Sequence, residues 1–155
     1  MKYIFGLDLS MKCTGIAIFD EEGNPVMNCS IMTNDKQTHG KRLKVIADRM
    51  KELIELYPPK IISIERGFSR FNVATAVIYR VHGVVNYILN EFIQVYYPPK
   101  EVKKFILKGT ATKKQVQETI LKKYPNIKFA NEDESDAFAV GLTYFIKNNK
   151  IKWKE

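Results

Sequence analysis

Cysteine and histidine are scarce: the 155 residues contain two of each. Cys13 and Cys29 form neither a zinc spacing nor a disulfide framework, so reduced, intracellular (cytoplasmic) residence is the expectation. His39 and His82 stand alone in their neighbourhoods, and a Ser-His-Asp triad has no support. Long hydrophobic runs are missing too. No stretch approaches the ~20 apolar residues of a membrane helix, and Met1-Lys2-Tyr3-Ile4 lacks a signal-peptide pattern, so no membrane partner is expected. There is no repeat, linker or low-complexity segment. Acids are outnumbered, 17 against 25 basic residues, for a net charge of +8. The imbalance is local: from Lys100 to Lys128 nine lysines meet only Glu101 and Glu118. Such a stripe is either a solvated surface or the footprint of a polyanion, most economically nucleic acid.

The chain is long enough for one domain with a full core, spanning 1–155, with 148–155 expected as a polar, frayed tail. Hydrophobic periodicity supplies the elements. Strands are expected over Tyr3–Leu9, Thr14–Asp20 and about Val26–Thr33, joined by short turns as an antiparallel meander. Leu43, Ile46, Ala47, Met50, Leu53 and Ile54 recur at helical spacing until Tyr57-Pro58-Pro59. A strand over Ile61–Glu65, a helix over about Asn72–Phe92 and a strand over about Gln94–Tyr97 follow. Pro98-Pro99 suits the first turn of a helix carrying Val102, Phe105 and Ile106. Thr112 and Gln115 fit a capping box before Val116 and Ile120, and a last helix is expected over about Glu132–Lys147. The order β-β-β-α-β-α-β-α-α-α predicts an α/β fold. Its five-stranded mixed sheet, three antiparallel strands then two parallel, should carry helices on both faces.

Against this background the acids are conspicuous by position. Asp8 ends the apolar run Tyr3-Ile4-Phe5-Gly6-Leu7, and Glu65 ends Ile61-Ile62-Ser63-Ile64. Asp133 and Asp136, three apart, share one face in the first turn of the last helix. A buried carboxylate costs several kcal/mol unless paired or metal-bound. Two neighbouring parallel strands would place Asp8 and Glu65 side by side at their carboxyl ends, where open α/β sheets bind ligands. Like charges ~4 Å apart repel by about 4 kcal/mol at an effective dielectric near 20. Converging acids therefore imply a hard cation, with two Mg²⁺ as the cofactor and Mn²⁺ as a substitute. Each acid also has an ordinary explanation. Asp133, Glu134 and Asp136 favour a helix N-terminus, and Glu65 can pair with Arg66. Just beyond, Arg66-Gly67-Phe68-Ser69-Arg70-Phe71 interleaves basic and aromatic residues, as nucleic-acid stacking loops do, with Phe68 as the loop aromatic and Phe71 left in the core.

Gly6-Leu7-Asp8-Leu9-Ser10 with Thr14-Gly15 resembles the opening of RuvC-type Holliday-junction resolvases of the RNase H-like superfamily. Ile64-Glu65 with Phe68, Val102-Lys103, Lys113 with Gln115-Val116, and Asp133-Glu134-Ser135-Asp136-Ala137 continue the resemblance in order. Compactness and lysine content bring it closer to phage- or virus-encoded members, which would act in the host cytoplasm. The resemblance implies an RNase H-like nuclease domain that cuts four-way or other branched DNA and leaves ligatable nicks. It implies Asp8, Glu65, Asp133 and Asp136 as metal ligands, Lys103 and Lys113 beside the scissile phosphate, and Phe68 inserted at the junction. Arg66, Arg70, Lys104, Lys108 and Lys114 complete the expected DNA contacts. The loop between Val102-Lys103 and Lys113 is short, and its Lys108-Gly109-Thr110 is less glycine-rich than the family pattern, which bears on junction contacts and cleavage-sequence preference.

A homodimer is implied through the helix at about Asn72–Phe92. Its Val73, Ala76, Val77, Arg80, Val84, Tyr87 and Ile88, with small Gly83, form an apolar surface wider than one core face requires. Its alternative is an ordinary buried helix. Other functional classes remain as alternatives: a branched-DNA-binding protein without catalysis, or a nuclease of the same superfamily acting on RNA. An actin- or sugar-kinase-like ATPase shares the Asp-x-Ser…Thr-Gly pattern but needs two such domains, so no nucleotide cofactor is expected.

Overall fold

In the computed structural model, which describes residues 1–66 and 72–154, β1 (Tyr3–Asp8) lies at the centre of a five-stranded sheet of order β3-β2-β1-β4-β5. β2 (Cys13–Phe19) and β3 (Pro25–Met32) extend it antiparallel on one side. β4 (Pro59–Glu65) and β5 (Ile93–Tyr97) extend it parallel on the other. Two parallel pairings need crossovers, supplied by α1 (His39–Leu56) and α2 (Val73–Ile88). The chain then closes with α3 (Pro99–Ile106), α4 (Lys113–Lys123) and α5 (Glu132–Lys147).

Alternation along the strands divides the core in two. Phe5, Leu7, Ile16, Ile18, Ile62 and Ile64 point to the face covered by α1 and α2, where they meet Ile46, Met50, Val81 and Val85. Ile4, Ala17, Phe19 and Ile61 point to the opposite face, against α3, α4 and α5. Phe19 anchors that side, its ring 4.8 Å from Phe138 and 5.5 Å from Phe145. Two glycines let α5 lie directly on the sheet. A Cβ on Gly6 would come 2.1 Å from the Ala137 carbonyl oxygen, and one on Gly15 would come 1.9 Å from that of Asp133. Neither position tolerates a side chain without moving the helix backbone.

The ten elements appear in the expected order, with shifts at their ends. α1 starts at His39, earlier than its first apolar repeat, because Thr38 caps it by accepting from Lys41 N. α2 stops at Ile88 rather than Phe92. Gln94 Nε2 takes the Leu89 carbonyl and Phe92 N turns back to the same oxygen, which leads the chain into β5. The Thr112–Gln115 capping box and the proline start of α3 are both present.

The tail is a correction. α5 ends in a Schellman-type turn: Asn149 takes a left-handed conformation (φ 53°), Lys150 N donates to Phe145 O at 2.8 Å, and Asn149 N donates to Ile146 O at 3.1 Å. The chain doubles back instead of fraying. Trp153 is buried, its Nε1 donates to Ile106 O at 2.7 Å, and its ring stacks near Tyr124. One large aromatic in a polar stretch supplies enough burial to dock it.

Candidate active site

Parallel pairing of Leu7 with Ile64 puts Asp8 and Glu65 next to each other where β1 and β4 end. Both carboxyls are half-buried, and each bears on the ionisation of the other. Burial, then the charges of Glu65, Asp136 and Asp133, push Asp8 up to about 8, while Lys113 opposes the shift. Burial and Asp136 raise Glu65 to about 7. Such displacement marks a site whose carboxylates lack their countercharge.

α5 brings the other two acids. Asp136 faces the same cavity as Asp8 and Glu65, a space of about 340 Å³. Lys113, the first residue of α4, donates from Nζ to Asp136 Oδ2 at 2.9 Å, and that bond raises the lysine's own pKa. Asp133, one turn earlier, acts on Asp8 electrostatically but lies toward β2, near the Cys13 thiol; burial and the neighbouring Asp133 push Cys13 up to about 11. Among the described residues no three acidic, histidine or cysteine side chains close to metal-ligand distances. Four carboxylates in mutual electrostatic reach, all oxygen donors, fit a hard divalent cation.

The expected basic residues separate. Lys103 and Arg66 line the acidic cavity with Lys113, and Lys103 lowers the pKa of Glu65. Lys104 faces away, on the opposite flank of α3, and Lys108 and Lys114 are exposed outside the cavity. Phe68, Arg70 and Phe71 lie outside the described residues.

The family model for crossover junction endodeoxyribonuclease RuvC matches residues 4–144. The chain belongs to that family. A RuvC from Brevibacillus brevis is 33% identical over 154 residues, covering 91% of this chain and 90% of its own length. One from Alkaliphilus metalliredigens is 33% identical over 150 residues, with 91% of each chain covered. Among solved structures, Thermus thermophilus RuvC in complex with Holliday junction substrate superposes with a TM-score of 0.86 at 19% identity, covering 96% of this chain and 95% of that one. Fowlpox virus resolvase with Holliday junction DNA gives 0.53 at 13% identity, covering 95% and 98%. At these identities the two structures establish the likeness of fold alone.

In this RuvC-family chain the residues that position the acids were less visible in the sequence than the acids themselves. Glu134 has an almost fully buried side chain. Ser30 Oγ of β3 donates to its Oε2 at 3.0 Å and Ala130 N to its Oε1 at 3.3 Å. Asn131 Nδ2 donates to Ser30 Oγ at 3.2 Å, while Asn131 Oδ1 accepts from Glu134 N at 3.0 Å. This network ties the start of α5 to β3 and aims Asp133 and Asp136. Its sequence signal is a capping pattern, Asn131 with an acid three residues on, which reads as helix initiation alone. Ser10 and Thr14 fix the turn after β1: Ser10 Oγ donates to Cys13 O at 2.7 Å and Thr14 Oγ1 to Ser10 O at 2.9 Å. His82, buried in the cavity wall between Tyr79 and Tyr96, carried no sequence signal.

Proposed function

We propose that this protein is a structure-selective endonuclease that resolves four-way (Holliday) or other branched DNA by Mg²⁺-dependent phosphodiester hydrolysis, leaving nicks that a ligase can seal. The observation that carries this reading is the meeting of Asp8, Glu65 and Asp136, from three separate elements, beside Lys113 and Lys103 in one cavity of a RuvC-family chain. Asp8, Glu65, Asp133 and Asp136 would hold the cations. When bound, Mg²⁺ supplies the positive charge that acidifies a water and offsets charge on the phosphate.

The chain's own residues do the remaining work in this reading. Lys113 and Lys103 attract and orient the scissile phosphate beside the carboxylates. Arg66 adds positive charge at the rim. Val102, Val116, Ala139 and Val140 give the cavity an apolar wall that limits competing water. Lys104, Lys108, Lys114, Arg70 and Phe68 are assigned to the flanking DNA by the family resemblance.

Two symmetric cuts call for two matched sites, and α2 offers a surface for a C₂ homodimer. Val73, Ala76, Arg80, Gly83 and Tyr87 recur at spacings of three and four, and all are exposed. That is a coiled-coil-like seam, with Gly83 permitting close approach. Among the described residues no helix is long and apolar enough to cross a membrane.

The test is nicking of a synthetic four-way junction with and without Mg²⁺, against duplex DNA and an RNA/DNA hybrid, in the wild type and in Asp8→Asn. Paired nicks in the junction that need Mg²⁺ and vanish in Asp8→Asn, with junction binding retained, are the expected result. Preferential cutting of the hybrid would transfer the site to RNA. Tight junction binding with no cleavage under any divalent cation would make the protein a binding module.

A further inference from the structure

The docked tail creates a groove of about 720 Å³ between α3 and the segment after α5. Its rim carries Lys104, Lys150, Lys152 and Lys154, and among the described residues no acidic side chain lines it. Lys154 is committed in part, since its Nζ donates to Lys104 O at 3.0 Å and Leu107 O at 3.1 Å, the free carbonyls at the end of α3. Among the described residues no carboxylate pairs with any of the four. Phe105, Ile146 and Ile151 supply half-buried apolar surface below this rim. Lys103 faces the acidic cavity and Lys104 this groove, so an occupant here would not displace the scissile phosphate.

We infer that this groove is a docking site for an acidic peptide segment carrying an apolar side chain, on a protein partner. Four ammonium groups with no carboxylate partner among the described residues favour an anion. The apolar floor selects against a duplex arm, whose phosphates can meet the rim but leave the floor unfilled. Unpaired bases fit poorly for another reason: the aromatic faces are already in use. Trp153 is buried against Tyr124 with the Lys123 ammonium 5.7 Å from its ring, and Lys147 sits 6.0 Å from the Phe105 ring. A carboxylate-rich segment with one Phe or Leu satisfies both rim and floor, the usual division between polar rim and apolar anchor at an interface.

The experiment is fluorescence anisotropy of the full chain with a labelled Asp-Glu-Asp-Phe-Asp-Glu peptide, in parallel with the same peptide bearing Ser for Phe, an oligo-dT and a four-way junction. The Phe peptide should bind, and the Ser peptide should bind several-fold more weakly. Lys150→Gln with Lys152→Gln should weaken the Phe peptide about tenfold, as loss of two or more favourable charge contacts predicts, and leave single-turnover junction cleavage unchanged. NMR shifts confined to Phe105, Ile146, Ile151 and their neighbours would locate the peptide independently of the substitutions. Junction or oligo-dT affinity falling in the double variant while the peptide shows no binding would make the groove a DNA contact and overturn the proposal. Peptide binding indifferent to both the Phe and the two lysines would overturn it as well. Neither result bears on the cleavage chemistry, which rests on the acids with Lys103 and Lys113 on the other flank of α3; a DNA contact here would touch only the assignment of Lys104.

Discussion

Helices α2 and α5 are each sixteen residues long, and each begins on an asparagine that caps its third amide. They use their apolar residues differently. Eleven of sixteen residues in α2 are apolar against eight in α5, yet α2 buries four residues and α5 buries ten. α5 lies on glycines of β1 and β2, so even Glu134, Ser135 and Thr143 are covered. α2 crosses the sheet near its β5 edge and leaves Val73, Tyr79 and Tyr87 at 83%, 50% and 79% exposure. Apolar content therefore does not report depth in the core. The helix that holds the acids is the one the fold closes around, and the more apolar helix leaves its surplus exposed.

The largest expected effect comes from the α5 side. Asp136→Asn removes a carboxylate facing Asp8 and Glu65 and leaves Lys113 without its partner. Junction cleavage should fall by roughly 10³-fold, the scale of several kcal/mol of charge stabilisation, while gel-shift affinity for the junction stays within a few-fold. Activity near the wild-type level would remove α5 from the site.

Next is the α2 surface. Gly83→Glu puts a charge on an exposed seam with nothing within 4 Å of the glycine in the free chain. Sedimentation should show monomers at micromolar concentration, and nicks in the two junction strands should lose their pairing. A variant that keeps the wild-type mass and paired cuts places any dimer elsewhere.

Alanine at two glycines tests the contrast directly. Gly15→Ala drives a methyl into the Asp133 carbonyl and should destabilise by roughly 1–3 kcal/mol or more in urea unfolding. Gly83→Ala meets no neighbour in the chain and should raise monomer stability by about 0.5–1 kcal/mol through helix propensity. Equal effects at both positions would contradict the packing difference.

Glu134→Ala strands Ser30 Oγ and Ala130 N in a buried setting, at a cost of about 1–3 kcal/mol. More Mg²⁺ should then be needed for half-maximal cleavage, with only partial recovery in Glu134→Gln, whose single amide oxygen can accept one of the two bonds while its Nε2 can only donate. The mildest test is pH. In the folded, metal-free chain Asp8 and Glu65 ionise near 8 and 7, against ordinary values of 3.8 and 4.5. Between those limits the folded state holds more protons, so stability in EDTA should fall as pH rises from about 4 to about 8. A divalent cation should flatten that slope, and an unchanged slope would argue that the carboxylates do not bind it.

Much of this was legible in one dimension. Strand and helix periods report which residues turn inward, and caps such as Thr112 with Gln115 mark where a helix begins, so the ten elements and their order follow from local chemistry. Asp8 and Glu65 stood out for the same reason: an acid at the end of an apolar strand needs an explanation wherever the strand lies. Periodicity carries no information about what a side chain meets across the fold. Lys103 and Lys104 are adjacent in sequence and indistinguishable there, and only the rotation of α3 sends one to the acidic cavity and the other to the groove behind it. Glu134 reads as one more acid at a helix start until β3 brings Ser30 against it. Trp153 reads as part of a polar tail until Asn149 turns the chain back onto Ile106. Local pattern settles which residues must be buried or charged, because those costs belong to single residues. Which of them meet depends on packing between elements far apart in the chain, so only the folded structure decides it.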